Sequence, residues 1–198
     1  MKKVLLLLSF SLFFSCSNDE LKEENPKRKL DRPVIKTTTD TNTASRLGSS
    51  YLVQPIFAGQ NIDAGYVEIS NDGINFEVEY FATGDWKFSE LHLYVGDLLE
   101  APTTGSGNPI PGRFDHKVTF ATPVKSYSFV IPISSITVTN GCVIVAAHSK
   151  MKKYNSTGGV VQQETGWAGQ VPFSGANWAK YSNYCLSTSV GDDDSDIR

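Results

Sequence analysis

The side chains best suited to chemistry are two histidines and the acids near them. The two-residue period of a strand places Glu90, His92 and Tyr94 on one face. A carboxylate two residues from an imidazole can orient it as a base or contribute to a metal site. His148 ends an apolar segment, and with Glu164 it would complete a cluster with His92 if the three side chains met in space. The alternative is that each histidine is a packing residue held by a hydrogen bond.

Other sequence patterns for catalysis are missing from the chain. There is no Gly-x-Ser-x-Gly elbow, no phosphate-binding glycine loop and no Cys/His spacing typical of zinc. We therefore assign no catalytic residue, and we expect no metal and no cofactor. A binding protein is favoured over an enzyme.

Aromatic residues give the stronger indication of a ligand. Trp167, Trp178 and Tyr181 lie near Glu164 and several amides in the last third of the chain. Tryptophan and tyrosine beside polar groups suit a sugar, because a pyranose offers a C–H face for stacking and hydroxyls for hydrogen bonds. The alternative is that these aromatics fill the core. The Pro- and Gly-rich segment 100–117 is predicted to be a long loop that meets the ligand together with this aromatic end.

The elements that carry these residues are predicted to be strands. Residues 74–81 alternate in polarity after a second such segment, and the turn residues 70–73 between them indicate a hairpin. Asp72, Gly73 and Asn75 would also suit a calcium loop, but the turn explains them. Further strands are expected at 65–69, 88–95, 125–131, 135–138, 142–148 and 178–185.

This pattern predicts an all-β fold. Short strands separated by Gly, Pro and Asn clusters are typical of a two-sheet antiparallel β-sandwich, either Ig-like or jelly-roll, and a small barrel is the alternative. The sandwich is expected to be a single domain at 51–188. An acidic, disordered tail is expected at 189–198.

The first sixteen residues predict export. Lys2 and Lys3 precede an apolar run at 4–14, which is too short to span a bilayer as a stable helix. Ser15 followed by Cys16 resembles a bacterial lipobox, although Phe13 and Phe14 depart from its usual spelling. The resemblance implies a signal peptide at 1–15 and acylation of Cys16, with palmitate among the expected chains. Ordinary signal cleavage is the alternative.

A polar segment follows the predicted anchor. Residues 16–50 have too little apolar content to offset the entropy of ordering, so we expect the acylated cysteine to be followed by a disordered, flexible stalk. The acidic cluster after Cys16 resembles the export tether of Bacteroidota surface lipoproteins. The expected location is therefore the outer membrane, lipid-anchored and surface-exposed, with the membrane as partner.

The two remaining cysteines are predicted to form a disulfide. Cys142 and Cys185 are an even pair in a chain predicted to be exported, and both lie in strand-like segments. Closing a loop of about 43 residues contributes on the order of 4 kcal/mol in the chain-entropy model. Two buried free thiols are the alternative.

Composition excludes a basic nucleic-acid-binding protein. The 198 residues include 21 acids and 18 bases, a formal net charge of -3, and no Lys/Arg cluster lies outside 27–32. We therefore expect no nucleic-acid partner.

Four segments together resemble an uncharacterised β module of Bacteroidota surface and secreted proteins. They are His92-Leu93-Tyr94-Val95-Gly96, Val145-Ala146-Ala147-His148, Glu164-Thr165-Gly166-Trp167-Ala168 and Asn177-Trp178-Ala179-Lys180-Tyr181. The resemblance implies location and extent, about 55–186, and no catalytic residue. Gly166 stands where similar modules often have Ala, which predicts a looser backbone there.

The function predicted from all these features is binding or adhesion at the cell surface. The expected ligand is a glycan or a surface protein, with Trp167, Trp178, Tyr181, Glu164, His92 and His148 as its candidate binding residues. The alternative is a hydrolase, or an accessory subunit of a polysaccharide-processing complex, with His92, His148 and Glu164 as its cluster.

Overall fold

The computed structural model describes residues 51–186, a range that falls inside the domain predicted at 51–188. The predicted signal peptide, the acylation site Cys16, the stalk at 16–50 and the tail at 189–198 lie outside the described residues. Within the described range, no helix has the length and apolar character needed to cross a membrane.

Antiparallel strands make up most of the described chain. They are β1 (Tyr51–Ala58), β2 (Ile62–Asn71), β3 (Asn75–Ala82), β4 (Trp86–Gly96), β5 (His116–Val124), β6 (Ser126–Pro132), β7 (Cys142–Tyr154), β8 (Val160–Ala168), β9 (Val171–Pro172) and β10 (Lys180–Cys185). Two single turns of 3-10 helix lie at Pro111–Arg113 and Ile133–Ser135.

The strands form one continuous path in the order β5-β4-β7-β8-β1-β2-β3-β6. Its two end strands, β5 and β6, follow each other in the chain, and the rings of Phe120 and Tyr127 pack across this seam at 5.3 Å. The all-β, antiparallel prediction is confirmed. The sheet is nearly closed and barrel-like rather than clearly a two-sheet sandwich, because β1 hydrogen-bonds to β8 and joins what would be two separate sheets.

The interior of this sheet holds the main core. Alternate residues of the strands point inward, and a bulge at Ser89 of β4 shifts that alternation by one, so that Phe88 and Leu91 both face the core. The largest fully buried side chains include Phe76, Tyr80, Phe88, Leu91, Leu93 and Met151.

A second apolar cluster covers the outer face of β4, β7 and β8. Those strands supply Tyr94, Ile144, Ala146 and Trp167, β10 supplies Tyr181, and the connecting segments supply Ala101, Phe114, Phe173 and Ala179. Trp167, Phe173 and Tyr181 of the last third therefore fill neither the main core nor an open face. They form an outer layer beneath two connections.

The predicted long loop is part of that cover. Residues 97–115 fold over the outer cluster and bury Phe114 in it. The loop also interlocks with residues 173–179, since Gly175 donates its N–H to the carbonyl of Gly107 at 3.1 Å and Asn108 Oδ1 accepts from Asn177 N. A Cβ at Gly175 would collide with the Asn108 side chain.

The predicted disulfide is confirmed. Cys142 and Cys185 lie opposite each other where β7 pairs with β10, and their sulfur atoms are at a bonding distance of 2.10 Å. The bond holds β10 against β7, and nearby the Tyr184 hydroxyl accepts a hydrogen bond from Asn71 Nδ2 at 2.7 Å.

One predicted strand and one backbone property differ from the structure. Residues 135–138 form no strand, because Ile133–Ser135 is a 3-10 turn. Gly166 is a point of close packing rather than a loose one, since an added Cβ would lie 2.7 Å from Ser149 Oγ and 2.8 Å from Ile56 Cγ2.

Candidate functional site

One row of side chains crosses five strands on the outer face. Its members stand directly opposite one another in register: Lys117 of β5, His92 of β4, His148 of β7, Trp167 of β8 and Phe57 of β1. Residues in such positions lie close enough for their side chains to touch. The row joins a polar network at the histidines to an open pocket at the aromatic end.

The histidines are hydrogen-bonded to each other. His92 Nδ1 and His148 Nδ1 are 3.1 Å apart, and the two residues are only 5% and 6% exposed. Glu90 Oε1 lies 2.7 Å from His92 Nε2, and Glu90 Oε2 lies 2.7 Å from Lys150 Nζ. The prediction that Glu90 and His92 share a face is therefore correct.

The chain of contacts fixes which nitrogen carries each proton. The hydrogen bond from Lys150 lowers the pKa of Glu90, so Glu90 is a carboxylate and accepts a hydrogen bond from His92 Nε2–H. Burial lowers the pKa of both histidines, to about 3 for His148, so both rings are neutral at pH 7. A neutral His92 with Nε2–H has a bare Nδ1, and His148 must donate its Nδ1–H to it.

The structure does not bring Glu164 to these histidines. Glu164 stands opposite Met151 of the main core, whereas Trp167 stands opposite His148, so the two side chains leave opposite faces of β8. The Glu164 carboxylate accepts a hydrogen bond from Gln162 at 3.1 Å. The predicted cluster of His92, His148 and Glu164 is therefore wrong as a constellation, because an odd residue separation reverses the face of a strand.

The remaining histidine is also separate. His116 stands opposite the core residue Leu93, and its ring packs 6.2 Å from Phe129. Within residues 51–186, no three His, Cys, Asp or Glu side chains converge as metal ligands. At the turn considered for calcium, Asp72 Oδ1 accepts the N–H groups of Ile74 and Asn75 instead.

A pocket of about 220 Å³ opens at the other end of the row. It is lined by Phe57 of β1, Gln60 and Asn61 of the turn that follows, Trp167 of β8, Trp178, and Lys180 of β10. We call it the Trp178 pocket. Trp167 is almost fully buried, so it forms the inner wall, whereas Trp178 is only partly buried at the edge of the outer cluster.

The turn between β1 and β2 supplies the polar rim of this pocket. Gly59 donates its N–H to the carbonyl of Thr165 at 3.0 Å, which fixes the turn against β8. Gln60 has a φ of 78°, a left-handed conformation that costs a residue with a Cβ about 1–2 kcal/mol. Among residues 51–186, the other non-glycine residue with positive φ is Asn140, which precedes Gly141 in a tight turn that favours Asn-Gly.

Trp167 connects the histidine pair to the pocket. Its ring centroid lies 4.8 Å from that of His148, and on the cluster side it packs against Phe114 and Phe173 at 6.2 and 6.3 Å. Tyr181 packs against Phe173 and does not line the pocket. Of the six predicted binding residues, the pocket therefore uses Trp167 and Trp178.

Sequence reasoning missed four lining residues. Phe57, Gln60 and Asn61 lie at a hairpin whose first strand has a proline at position 55, and the segment falls inside the predicted domain at 51–188 but in none of the predicted strands. Lys180 lies in the segment 177–181, where the two aromatics gave the stronger indication of a ligand. The long loop predicted to meet the ligand contributes no lining residue.

Comparison with known proteins gives no match to a family model, to a curated protein or to a solved structure.

Proposed function

We propose that this chain is a lipid-anchored surface protein whose β domain binds a glycan in the Trp178 pocket. The observation that carries the proposal is the pocket itself, in which indole surface stands beside two side-chain amides. An aromatic wall takes the C–H face of a sugar ring, and amides pair with its hydroxyls. Both kinds of group are needed, since aromatics alone do not orient a polar ligand.

The size of the pocket limits what it holds. At about 220 Å³ it is smaller than the ~300–1,000 Å³ of typical small-molecule sites, so it fits one ring or a chain end rather than a long oligosaccharide. Affinity for a single site of this kind is expected to be modest. Surface display of many copies would raise the avidity.

The strained turn supports a binding role. Gln60 keeps an unfavourable backbone conformation at the pocket rim, although a glycine there would remove the strain. Backbone strain of this kind is concentrated at functional sites, where the position of the side chain is worth its cost in stability.

The test is a glycan array followed by calorimetry with the purified chain. Trp178→Ala removes part of the stacking wall, and Gln60→Gly removes the rim amide and relieves the strain. Tyr154→Ala is the control, since Tyr154 is half-buried and outside the pocket. We expect both pocket variants to lower affinity about tenfold or more, as loss of a stacking or polar contact of 1.4 kcal/mol would. Wild-type and Trp178→Ala chains with equal affinity would contradict the proposal.

Membrane attachment is the second part of the proposal. It rests on the apolar run at 4–14 and on Cys16, where two or more acyl chains would give stable anchoring. Metabolic labelling with a palmitate analogue should mark the wild-type chain and not Cys16→Ser. Protease treatment of whole cells should remove the domain. An unlabelled, cell-interior wild-type chain would contradict this part.

The hydrolase alternative is not favoured by the described residues. The histidine pair is buried beneath the outer layer, and Glu164, the acid proposed to act with it, leaves the opposite face of β8. A role as an accessory subunit for polysaccharide processing is compatible with glycan binding, and it needs no catalytic group.

A further inference from the structure

We infer that the Trp178 pocket selects saccharides that carry an anionic group, a carboxylate or a sulfate, and that Lys180 binds that group. This inference rests on the proposed glycan-binding function and specifies its ligand class. Lys180 is the one ionisable residue among the six that line the pocket.

Lys180 has no side-chain partner, whereas most other lysines in the described chain have one. Lys150 pairs with Glu90, while Lys117 and Lys125 donate to the carbonyls of Gly112 and Gly84. Lys87 and Lys153 lie over aromatic rings. Among residues 51–186, none forms a hydrogen bond or an ion pair with the side chain of Lys180, a residue that is nonetheless half-buried.

A lysine that lines a pocket and has no side-chain partner in the protein favours an anionic ligand. Removing an ammonium from water costs free energy unless an opposite charge or hydrogen-bond acceptors replace the water. The indole walls of Trp167 and Trp178 reduce the water around the site, which strengthens a charge pair formed there. A ligand anion would supply the partner that the protein does not.

The surrounding charges make this preference local. The chain has a net charge of -3, so a long-range field does not attract anions to it. No acid lines the pocket; Asp63, which stands opposite Phe57, is exposed, and the Glu164 carboxylate lies against Gly59, the neighbour of the rim residue Gln60. The rim amides of Gln60 and Asn61 can donate to the remaining oxygens of a carboxylate or a sulfate.

The test compares sugars that differ only in charge. Oligogalacturonate and its methyl ester have the same rings, but only the acid carries carboxylates. A sulfated galactan oligosaccharide tests sulfate as the anionic group. Calorimetry with the full chain should show binding of the acid at least about tenfold tighter than the ester, because a charge-assisted hydrogen bond is worth that much. Raising the NaCl concentration from 50 to 500 mM should weaken the binding of the acidic ligands and leave the binding of the ester unchanged.

Three variants test whether Lys180 causes the preference for the acidic sugar. Lys180→Met should remove the preference for the acid and leave binding of the ester. Lys152→Met is the matched control, since Lys152 is also half-buried and unpaired among the described residues but lies outside the pocket. Asp63→Asn should strengthen binding of the acid. Thermal unfolding of each variant checks that it is folded.

Each result decides between the two proposals. Equal binding of acid and ester, both lost in Trp178→Ala, would overturn the anion inference and support the proposed function. A preference for the acid that Lys180→Met leaves intact, or that Lys152→Met removes, would overturn the role of Lys180. Failure of all these sugars and of the glycan array to bind would overturn both. Tighter binding of the sulfate or of the carboxylate identifies the anionic group.

Discussion

The buried histidine pair makes the stability of the domain depend on pH. Burial lowers the pKa of His148 from 6.5 to about 3, and the positive charge of Lys150 acts in the same direction, as does that of His92 once it is protonated. The unfolded chain therefore binds a proton between these two values that the folded chain does not. The stabilisation is complete above pH 6.5 and is lost progressively as the pH falls towards 3.

The magnitude follows from linkage. Between pH 7.5 and 5.0, an unfolded-state pKa of 6.5 and a folded-state pKa near 3 lower the free energy of unfolding by about 2 kcal/mol. Burial also lowers the pKa of His92 and of His116, so they add to this loss. Ordinary carboxyl groups titrate below this window.

Urea denaturation at pH 7.5, 6.5, 5.5 and 5.0 measures the effect. His148→Asn keeps a polar group near the Nδ1 position, and it should be less stable at pH 7.5 but about 2 kcal/mol less sensitive to pH over this range. His116→Asn, outside the histidine pair, should keep most of the pH dependence. Equal pH dependence in wild type and His148→Asn would refute the reasoning, as would an NMR titration of the His148 ring with a midpoint above pH 6.

Three further predictions concern packing and the disulfide. Gly166→Ala should lower the free energy of unfolding by about 1–3 kcal/mol, because the new Cβ meets Ser149 Oγ and Ile56 Cγ2 inside 3.0 Å; unchanged urea unfolding would argue against this crowding. Ser149→Ala should raise the free energy of unfolding by about 1 kcal/mol, because the buried Ser149 hydroxyl has no hydrogen-bond partner within the described chain. A lower melting temperature for this variant would contradict that expectation. The double variant Cys142→Ala/Cys185→Ala should lower the free energy of unfolding by about 4 kcal/mol relative to the oxidised wild type, with the reduced wild type measured alongside. A decrease below about 1 kcal/mol would show that the other contacts of β10 hold it in place.

Local periodicity predicted the face of β4 that carries Glu90, His92 and Tyr94, because a strand fixes side-chain direction within two residues. It also located the hairpin of β2 and β3, where Asp72 closes the turn. It missed β8, whose centre is polar, and β1, where Pro55 interrupts the pattern. Strand assignment from sequence depends on a clear alternation of apolar and polar residues, and these two segments show little of it.

The closure of the sheet could not be derived in the same way. The pairing of β8 with β1 joins Ala168 to Ile56, residues far apart in the chain, and no local pattern encodes which strand edges meet. The same alternating strands would serve a sandwich or a barrel. The site depends on that pairing, because it sets Phe57 beside Trp167 and brings the Gln60 turn to the pocket.

The outer apolar layer explains why the pocket and the histidine pair occur together. A barrel strand normally has a core side and a solvent side, yet His148 and Trp167 are buried on the outer side by two connections. Where that cover is complete, the polar groups beneath it must pair with one another, as the histidines do. Where it ends, Trp167 and Phe57 of the same row line the Trp178 pocket, beside Trp178 and Lys180. The edge of the cover therefore determines the position of the site.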